Sequence, residues 1–89
     1  MIEKNITIIN KLGLHARAAA KLVTLASGFK STIELKSNTK TANGKSIMGI
    51  MMLAACQGSK LTLVVFGSDE LTAVQALEQL INERFDEAE

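Results

Sequence analysis

The chain has 89 residues, of which 47% are hydrophobic, which is enough apolar material for one small folded domain and argues against disorder. Ten Lys and Arg residues against nine Asp and Glu residues give a formal net charge of +1, whereas nucleic-acid-binding domains usually carry a clear basic excess. The only cysteine, Cys56, cannot form an intramolecular disulfide, and together with the only histidine, His15, it supplies too few ligands for zinc. We therefore expect one domain over residues 1–89 that binds no nucleic acid, metal or cofactor.

Segments typical of export or membrane insertion are missing from the sequence. The first residues lack the basic start and the apolar stretch of a signal peptide. No run approaches the ~20 apolar residues that cross a bilayer. We therefore expect a cytoplasmic protein.

Hydrophobic periodicity divides the chain into strands and helices. Apolar residues at every second position indicate half-buried strands, and apolar residues three or four positions apart indicate amphipathic helices. Glycine and asparagine residues between these segments favour turns and helix ends. The predicted elements, in chain order, are a strand over residues 2–9, a helix over 16–27, strands over 31–36 and 40–42, a helix over 47–56, a strand over 60–66 and a final helix that begins after Ser68.

The final helix has the pattern of a capped amphipathic helix. Ser68 is expected to cap its first turn, and Asp69 and Glu70 suit the positive end of the helix dipole. Residues 86–89 are expected to fray. The apolar stripe of this helix consists of Leu71, Val74, Leu77, Ile81 and Phe85.

The predicted strands are too short, and too polar on one side, for a parallel sheet. We expect an α+β fold with the order βαββαβα, in which a four-stranded antiparallel sheet carries three helices on one face, an open-faced sandwich. Val64 and Phe66 do not fit this arrangement, because they lie on the phase of their strand that should be polar. The sequence offers no explanation for these two residues.

His15 stands where a glycine-containing loop meets the first predicted helix. The first amides of a helix have no internal partners, and with the helix dipole they attract anions such as a phosphoryl group. The same positive field disfavours a protonated imidazole and leaves a ring nitrogen free for nucleophilic attack. Arg17 offers a planar set of donors suited to phosphoryl oxygens, and Gly13 permits a tight turn. These residues form a candidate site for a phosphoryl group.

The second predicted helix begins after Ser46, which is a good N-cap residue. This helix is apolar on nearly all sides, although only one side of so short a helix can face the core of a small domain. Exposed methionines adapt to several partners, so the remaining apolar surface is a candidate docking surface. We expect Ile50, Leu53 and Ala54 to face the core, and Met48, Met51 and Met52 to face solvent.

Two stretches of the chain carry a family resemblance. One is Gly13-Leu14-His15-Ala16-Arg17, and the other is residues 43–51, Asn-Gly-Lys-Ser-Ile-Met-Gly-Ile-Met. They resemble, respectively, the phosphorylation-site motif and the regulatory serine site of the HPr family, the histidine phosphocarriers of the bacterial phosphoenolpyruvate-dependent sugar phosphotransferase system. The separation of the motifs, the chain length and the order of elements match that family over essentially the whole chain.

The resemblance implies that His15 accepts a phosphoryl group from Enzyme I, with Arg17 assisting, and donates it to IIA proteins of sugar permeases. It implies a monomer that carries the group stoichiometrically and is not itself an enzyme. It makes Ser46 a candidate site for a regulatory serine kinase and phosphorylase. The residues that it assigns to partner binding are Arg17, Ala20, Ile47, Met48 and Met51.

Two residues depart from the family pattern. Cys56 stands where glycine is common, which does not affect the mechanism, and Ala18 stands where proline is usual. A first-turn proline fixes the backbone, so we expect Ala18 to loosen the helix start slightly.

Three alternatives to a sugar-branch carrier remain open. They are a nitrogen-branch phosphocarrier paralogue, a regulatory binding module that acts through Ser46, and a small hydrolase of the acylphosphatase type. The presence of His15 argues against the regulatory module, whose relatives tend to lack it.

Overall fold

The computed structural model describes residues 1–88. Its elements are β1 (Ile2–Thr7), α1 (Ala16–Ser27), β2 (Thr32–Lys36), β3 (Thr41–Asn43), α2 (Ile47–Met52), β4 (Lys60–Phe66) and α3 (Glu70–Asn82), followed by a one-turn segment, Arg84–Asp86. The strands form one antiparallel sheet in the order β1-β4-β2-β3. The predicted open-faced α+β fold is confirmed. No helix within residues 1–88 is long and apolar enough to span a membrane.

The core lies between the inner face of the sheet and the helices. Leu63 and Val65 of the central strand β4 are 1% and 0% exposed, as their alternation predicts. Each helix contributes one apolar side to the same cluster. Leu71, expected in the stripe of α3, is instead 60% exposed. The buried helix residues are Ala18, Ala19, Leu22 and Ala26 of α1, Ile50 of α2, and Ala73, Val74, Leu77 and Ile81 of α3.

Val64 and Phe66, on the outer phase of β4, differ in their surroundings. Val64 lies opposite Glu3 of β1 and Glu34 of β2 in the strand register. The aliphatic parts of two such side chains can cover a valine between them, and Val64 is only 7% exposed. Phe66 lies at the end of the strand and is 62% exposed. An apolar residue is therefore tolerated at the centre of the outer face, because the side chains of Glu3 and Glu34 lie on either side of Val64.

The second helix is shorter than predicted, ending at Met52 instead of residue 56. Ala54 has a φ of 53°, which takes the backbone out of the helix. The carbonyl of the next residue, Ala55, then accepts a hydrogen bond of 3.0 Å from the amide of Leu14. Ala54 itself is exposed, so its predicted place in the core is wrong. The helix ends early because the segment after it pairs with the loop before α1.

The start of α3 also differs from the prediction. Its N-cap is Asp69, and Ser68 is exposed. The Asp69 carboxylate makes no capping bond to its own helix but accepts the hydroxyl of Ser31 and the amides of Lys30, at 2.9 Å, and Ser31, at 3.0 Å. These hydrogen bonds lower the pKa of Asp69, and the bond from the Ser31 hydroxyl has the largest effect. The carboxylate therefore ties the start of α3 to the segment before β2.

Residues 86 and 87, predicted to fray, are instead held by the packing of the segment after α3. Arg84, Phe85 and Asp86 all have positive φ, at 58°, 54° and 63°. Left-handed backbone costs roughly 1–2 kcal/mol for each non-glycine residue. Burial of a Phe side chain contributes about 1.5–3 kcal/mol, which offsets the cost of one or two such residues. Phe85 is fully buried, and its carbonyl accepts a hydrogen bond of 2.8 Å from Nζ of Lys21 in α1. This packing fixes the segment as far as Glu87, and Glu89 lies outside the described residues.

Candidate functional site

His15 is the N-cap residue of α1. Its backbone is extended, with φ −74° and ψ 178°, and its carbonyl accepts the first helical hydrogen bond, 2.8 Å from the amide of Ala19. The imidazole makes no capping bond to the helix, and the side chain is 29% exposed. The first turn of α1 contains no acidic residue. The first helical amides and a partly exposed nucleophile therefore lie together at this helix end.

The loop before His15 is fixed by close backbone packing. Gly13 has a φ of +68°, and a Cβ at this position would lie 2.5 Å from the carbonyl oxygen of Ala55. Leu14, whose amide bonds to that same carbonyl, is buried. Gly13 thus serves both a left-handed backbone and a close approach, as only glycine can without strain. The segment that follows α2 sets the position of His15.

A buried asparagine, Asn10, connects this loop to the C-terminal segment. Its side chain is fully buried, and Nδ2 donates to the carbonyl of Gly13 at 2.8 Å and to Oε1 of Glu87 at 2.9 Å. Its Oδ1 has no hydrogen-bond partner in residues 1–88. The reverse amide orientation would place Oδ1 against two acceptors, so the two bonds fix the orientation of Asn10.

The second carboxylate oxygen of Glu87 lies on the imidazole of His15. Oε2 of Glu87 pairs with Nε2 of His15, and the Glu87 side chain is 12% exposed. The hydrogen bond from Asn10 lowers the pKa of Glu87, and the nearby His15 and Arg17 act in the same direction against the opposing effect of burial. Sequence reasoning missed both Asn10 and Glu87. The one available signal was Phe85, whose place in the apolar stripe indicated that the chain stays packed beyond α3.

Arg17 lies in the first turn of α1 and is exposed. It lines an open groove of about 480 Å³ between the loop after Asn10, α1 and the C-terminal segment. Lys11, Lys21, Asp86 and Glu87 line the same groove, and Nζ of Lys21 lies 3.7 Å from Oδ2 of Asp86. The predicted pair of His15 and Arg17 is therefore at one helix start, with further cations nearby. The arrangement suits a small anion that is delivered from outside.

Ser46 is the N-cap residue of α2, as predicted. Its Oγ accepts the amide of Gly49 at 3.1 Å, and its own amide donates to the carbonyl of Asn43 at 3.0 Å.

Ala20, on α1, is partly buried. Ile50 and Leu53 face the core as expected, at 0% and 8% exposure. The exposed apolar side chains of α2, here called the methionine patch, are Ile47, Met48, Met51 and Met52.

Known proteins match the chain over its whole length. Residues 2–83 match the family model described as the PTS HPr component phosphorylation site. Phosphocarrier protein HPr of Cupriavidus necator is 53% identical over 89 residues, with 100% of each chain covered. The crystal structure of HPr-C-His from Thermoanaerobacter tengcongensis has a TM-score of 0.96 at 47% identity and 100% coverage of both chains. A crystal structure of an HPr dimer from the same organism has a TM-score of 0.78 at 48% identity, covering 98% of this chain and 100% of that one.

The fold and these relatives define a phosphocarrier of the phosphotransferase system, a protein that carries a group and is not a catalyst. The chain belongs to the HPr family.

Proposed function

We propose that this chain accepts a phosphoryl group from Enzyme I on His15 and donates it to IIA proteins of sugar permeases. The observation that carries this proposal is the position of His15 at the N-cap of α1, where its ring makes no capping bond and is partly exposed. The adjacent helix amides and the exposed Arg17 suit a phosphoryl group. The chain acts as one domain over residues 1–89 and is phosphorylated stoichiometrically.

Acceptance is a direct displacement at phosphorus. The lone pair of a ring nitrogen of His15 forms the new N–P bond while the bond from phosphorus to Enzyme I breaks, and Enzyme I keeps that electron pair. The guanidinium of Arg17 and the first amides of α1 stabilise the charge on the phosphoryl oxygens. Donation runs in the same way, with a nucleophile of the IIA protein attacking the phosphorus on His15.

The partner-binding surface that we propose combines the start of α1 with the methionine patch. Met48 is 72% exposed and Met51 40% exposed, and flexible thioether side chains adapt to different partners. Neither α1 nor α2 has an acidic residue in its first turn, so both helix starts favour an acidic partner surface. Arg17 and Ala20 of α1 complete this surface.

Ser46 is proposed as the regulatory site, modified by a serine kinase and restored by a phosphorylase. It is half-buried and lies directly before the methionine patch. A phosphate there adds up to two negative charges at the docking surface. The modification would therefore reduce docking to Enzyme I without entering the His15 site.

The test is to incubate the chain with Enzyme I and phosphoenolpyruvate and to measure its mass. We expect one added phosphoryl group, labile in acid and stable in base, on a His15 nitrogen. No added mass with active Enzyme I would contradict the proposal. Subsequent incubation with sugar-branch and nitrogen-branch IIA proteins distinguishes the two branches by which protein takes the label.

The purified protein also distinguishes a carrier from a hydrolase and from a regulatory module. Turnover of an acyl phosphate would identify a hydrolase, whereas a regulatory module would respond to Ser46 phosphorylation and never carry label on His15. We propose that the protein works in the cytoplasm as a monomer. Since an HPr relative has been crystallised as a dimer, sedimentation of the unmodified and phosphorylated forms is the appropriate check.

A further inference from the structure

The carboxylate of Glu87 is held in a fixed orientation on the ring of His15. One oxygen accepts Nδ2 of the fully buried Asn10 at 2.9 Å, and the other lies on Nε2 of His15. Asn10 is itself fixed by its second bond, 2.8 Å to the carbonyl of Gly13 in the loop before His15. The carboxylate, the amide and the imidazole therefore form one chain of hydrogen bonds that starts in the core and ends at the ring.

The backbone before Glu87 is built to bring it there. Three consecutive residues, Arg84, Phe85 and Asp86, have left-handed backbone, so the chain turns away from the path of α3 here. Full burial of Phe85 and the bond from Lys21 to its carbonyl fix this turn. Glu87 follows this packed segment by one residue and is therefore held next to the loop before His15.

We infer that Glu87 is a positioning residue for phosphoryl transfer at His15: its carboxylate keeps the ring proton on Nε2 and leaves the lone pair of Nδ1 directed to the incoming phosphorus. A carboxylate accepts hydrogen bonds and cannot donate them, so the neutral ring must present N–H at Nε2. The other nitrogen, Nδ1, is then the nucleophile. This inference rests on the proposed function.

The same contact stabilises the ring during transfer. When the Nδ1 lone pair forms the N–P bond and Enzyme I leaves with the electrons of the broken bond, Nε2 keeps its proton and the ring becomes positively charged. The Glu87 carboxylate is then paired with a cation, and charge-assisted hydrogen bonds are stronger than neutral ones. Hence we expect Glu87 to assist the transfer step more than the binding of either partner.

The experiment compares wild type with Glu87→Gln, Glu87→Asp and Glu83→Gln. Glu83 is exposed in the same segment, so Glu83→Gln makes the same charge change away from the ring. Nitrogen-15 NMR of His15, at a pH where the ring is neutral, reports which nitrogen carries the proton. Steady-state acceptance from Enzyme I gives kcat and KM for each variant, and thermal melting checks the fold.

We expect only the Nε2–H form in wild type and a shift to the Nδ1–H form in Glu87→Gln, because the glutamine oxygen would accept Nδ2 of Asn10 and its N–H would donate to Nε2 of His15. For Glu87→Gln, kcat should fall about tenfold with KM unchanged, the loss of one charge-assisted hydrogen bond at a partly exposed site. Glu87→Asp should keep the Nε2–H form and recover part of the rate, and Glu83→Gln should match wild type.

An unchanged kcat in Glu87→Gln would overturn the inference, and so would a lower kcat with unchanged proton placement. A faster reaction would also overturn it, since the carboxylate would then obstruct the phosphoryl group. Failure of the proposed function looks different, because wild type itself would take no label from Enzyme I. In that case the NMR comparison still decides whether Glu87 places the proton on His15.

Discussion

Two of the N-cap residues of this protein, Ser46 of α2 and His15 of α1, use the same position in a helix differently. Ser46 turns its side chain back onto α2 and accepts the amide of Gly49 at 3.1 Å. His15 has a similarly extended backbone, but its side chain makes no bond to α1, and its ring pairs instead with Glu87, 72 positions away in the chain. At α2 the cap satisfies the helix, whereas at α1 the helix amides stay available to another group.

This difference separates a structural cap from the site proposed at His15. A serine cap stabilises a helix by about 1 kcal/mol and occupies an amide that would otherwise bind an anion. A histidine that leaves its helix uncapped gives up that stabilisation, and the surrounding structure must position it. Here Gly13, Asn10 and Glu87 do so from three directions. Substitutions that alter one of these residues or caps at a time can break or sharpen the comparison.

The largest expected effect is that of His15→Ala set against Ser46→Ala. His15→Ala should accept no phosphoryl group from Enzyme I and phosphoenolpyruvate, since it has lost the nucleophile. Ser46→Ala should be labelled fully, because the Oγ of Ser46 accepts its hydrogen bond from Gly49 of α2 and makes none to His15 or Arg17. Mass spectrometry of both variants after the same incubation is the measurement. Full labelling of His15→Ala would remove the functional difference between the two caps.

The next largest effect concerns the loop that positions His15, through Gly13→Ala and its control Gly58→Ala. Both glycines have positive φ, +68° and +90°, but only at Gly13 would a Cβ meet backbone, 2.5 Å from the Ala55 oxygen. A left-handed alanine costs roughly 1–2 kcal/mol, and the overlap should add about 1–3 kcal/mol at Gly13 alone.

Urea unfolding gives both free energies, and the transfer rate shows whether His15 is displaced. We expect Gly13→Ala to be the less stable variant and to transfer more slowly, and Gly58→Ala to transfer at the wild-type rate. Equal stability losses would mean that the packing of Gly13 on Ala55 does not set the loop.

A smaller effect is expected from Arg17→Lys, with Arg84→Lys as the control. Lysine keeps the charge but loses the planar pair of donors, so we expect transfer to slow by about tenfold while stability is unchanged. Arg84 is exposed and lies outside the groove that Arg17 lines, so the same replacement there should have no effect. A wild-type rate in Arg17→Lys would show that charge alone suffices beside His15.

The sequence predicted the fold and half of the site, and the division has a physical cause. Strand alternation and helix spacing are local patterns, so the bounds of α1 and β4 agree with the structure. His15, Arg17 and Ser46 are adjacent to recognisable helix starts. Asn10 and Glu87 are ordinary polar residues in a loop and near the C-terminus, and only tertiary packing brings them together at 2.9 Å.

The same reason explains the errors in element ends. The early end of α2 depends on Ala55 pairing with Leu14, which no local pattern records. The predicted apolar stripe of the last helix included Phe85, and Phe85 is indeed buried. It lies beyond the end of α3, however, in a turn of left-handed backbone that the stripe did not predict. Contacts between distant segments decide both features.

The smallest expected effects separate the two roles of Ser46, its cap and its place beside the methionine patch. Ser46→Ala removes the acceptor for the Gly49 amide and should cost about 1 kcal/mol of stability, with no loss of affinity for Enzyme I. Ser46→Asp should keep the stability, because aspartate caps as well as serine and its charge suits the helix dipole. The added charge must face, or be desolvated by, a docked partner, so the affinity of Ser46→Asp for Enzyme I should fall a few-fold, by roughly 1 kcal/mol or less. Urea unfolding and the KM for Enzyme I are measured on both variants. We expect Ser46→Ala to lose stability with an unchanged KM, and Ser46→Asp to keep its stability with a raised KM. If Ser46→Asp docks as tightly as wild type, Ser46 is a cap only and the docking surface lies elsewhere; if Ser46→Asp is instead the less stable variant, the amides of α2 do not accept an anion as those of α1 are proposed to do.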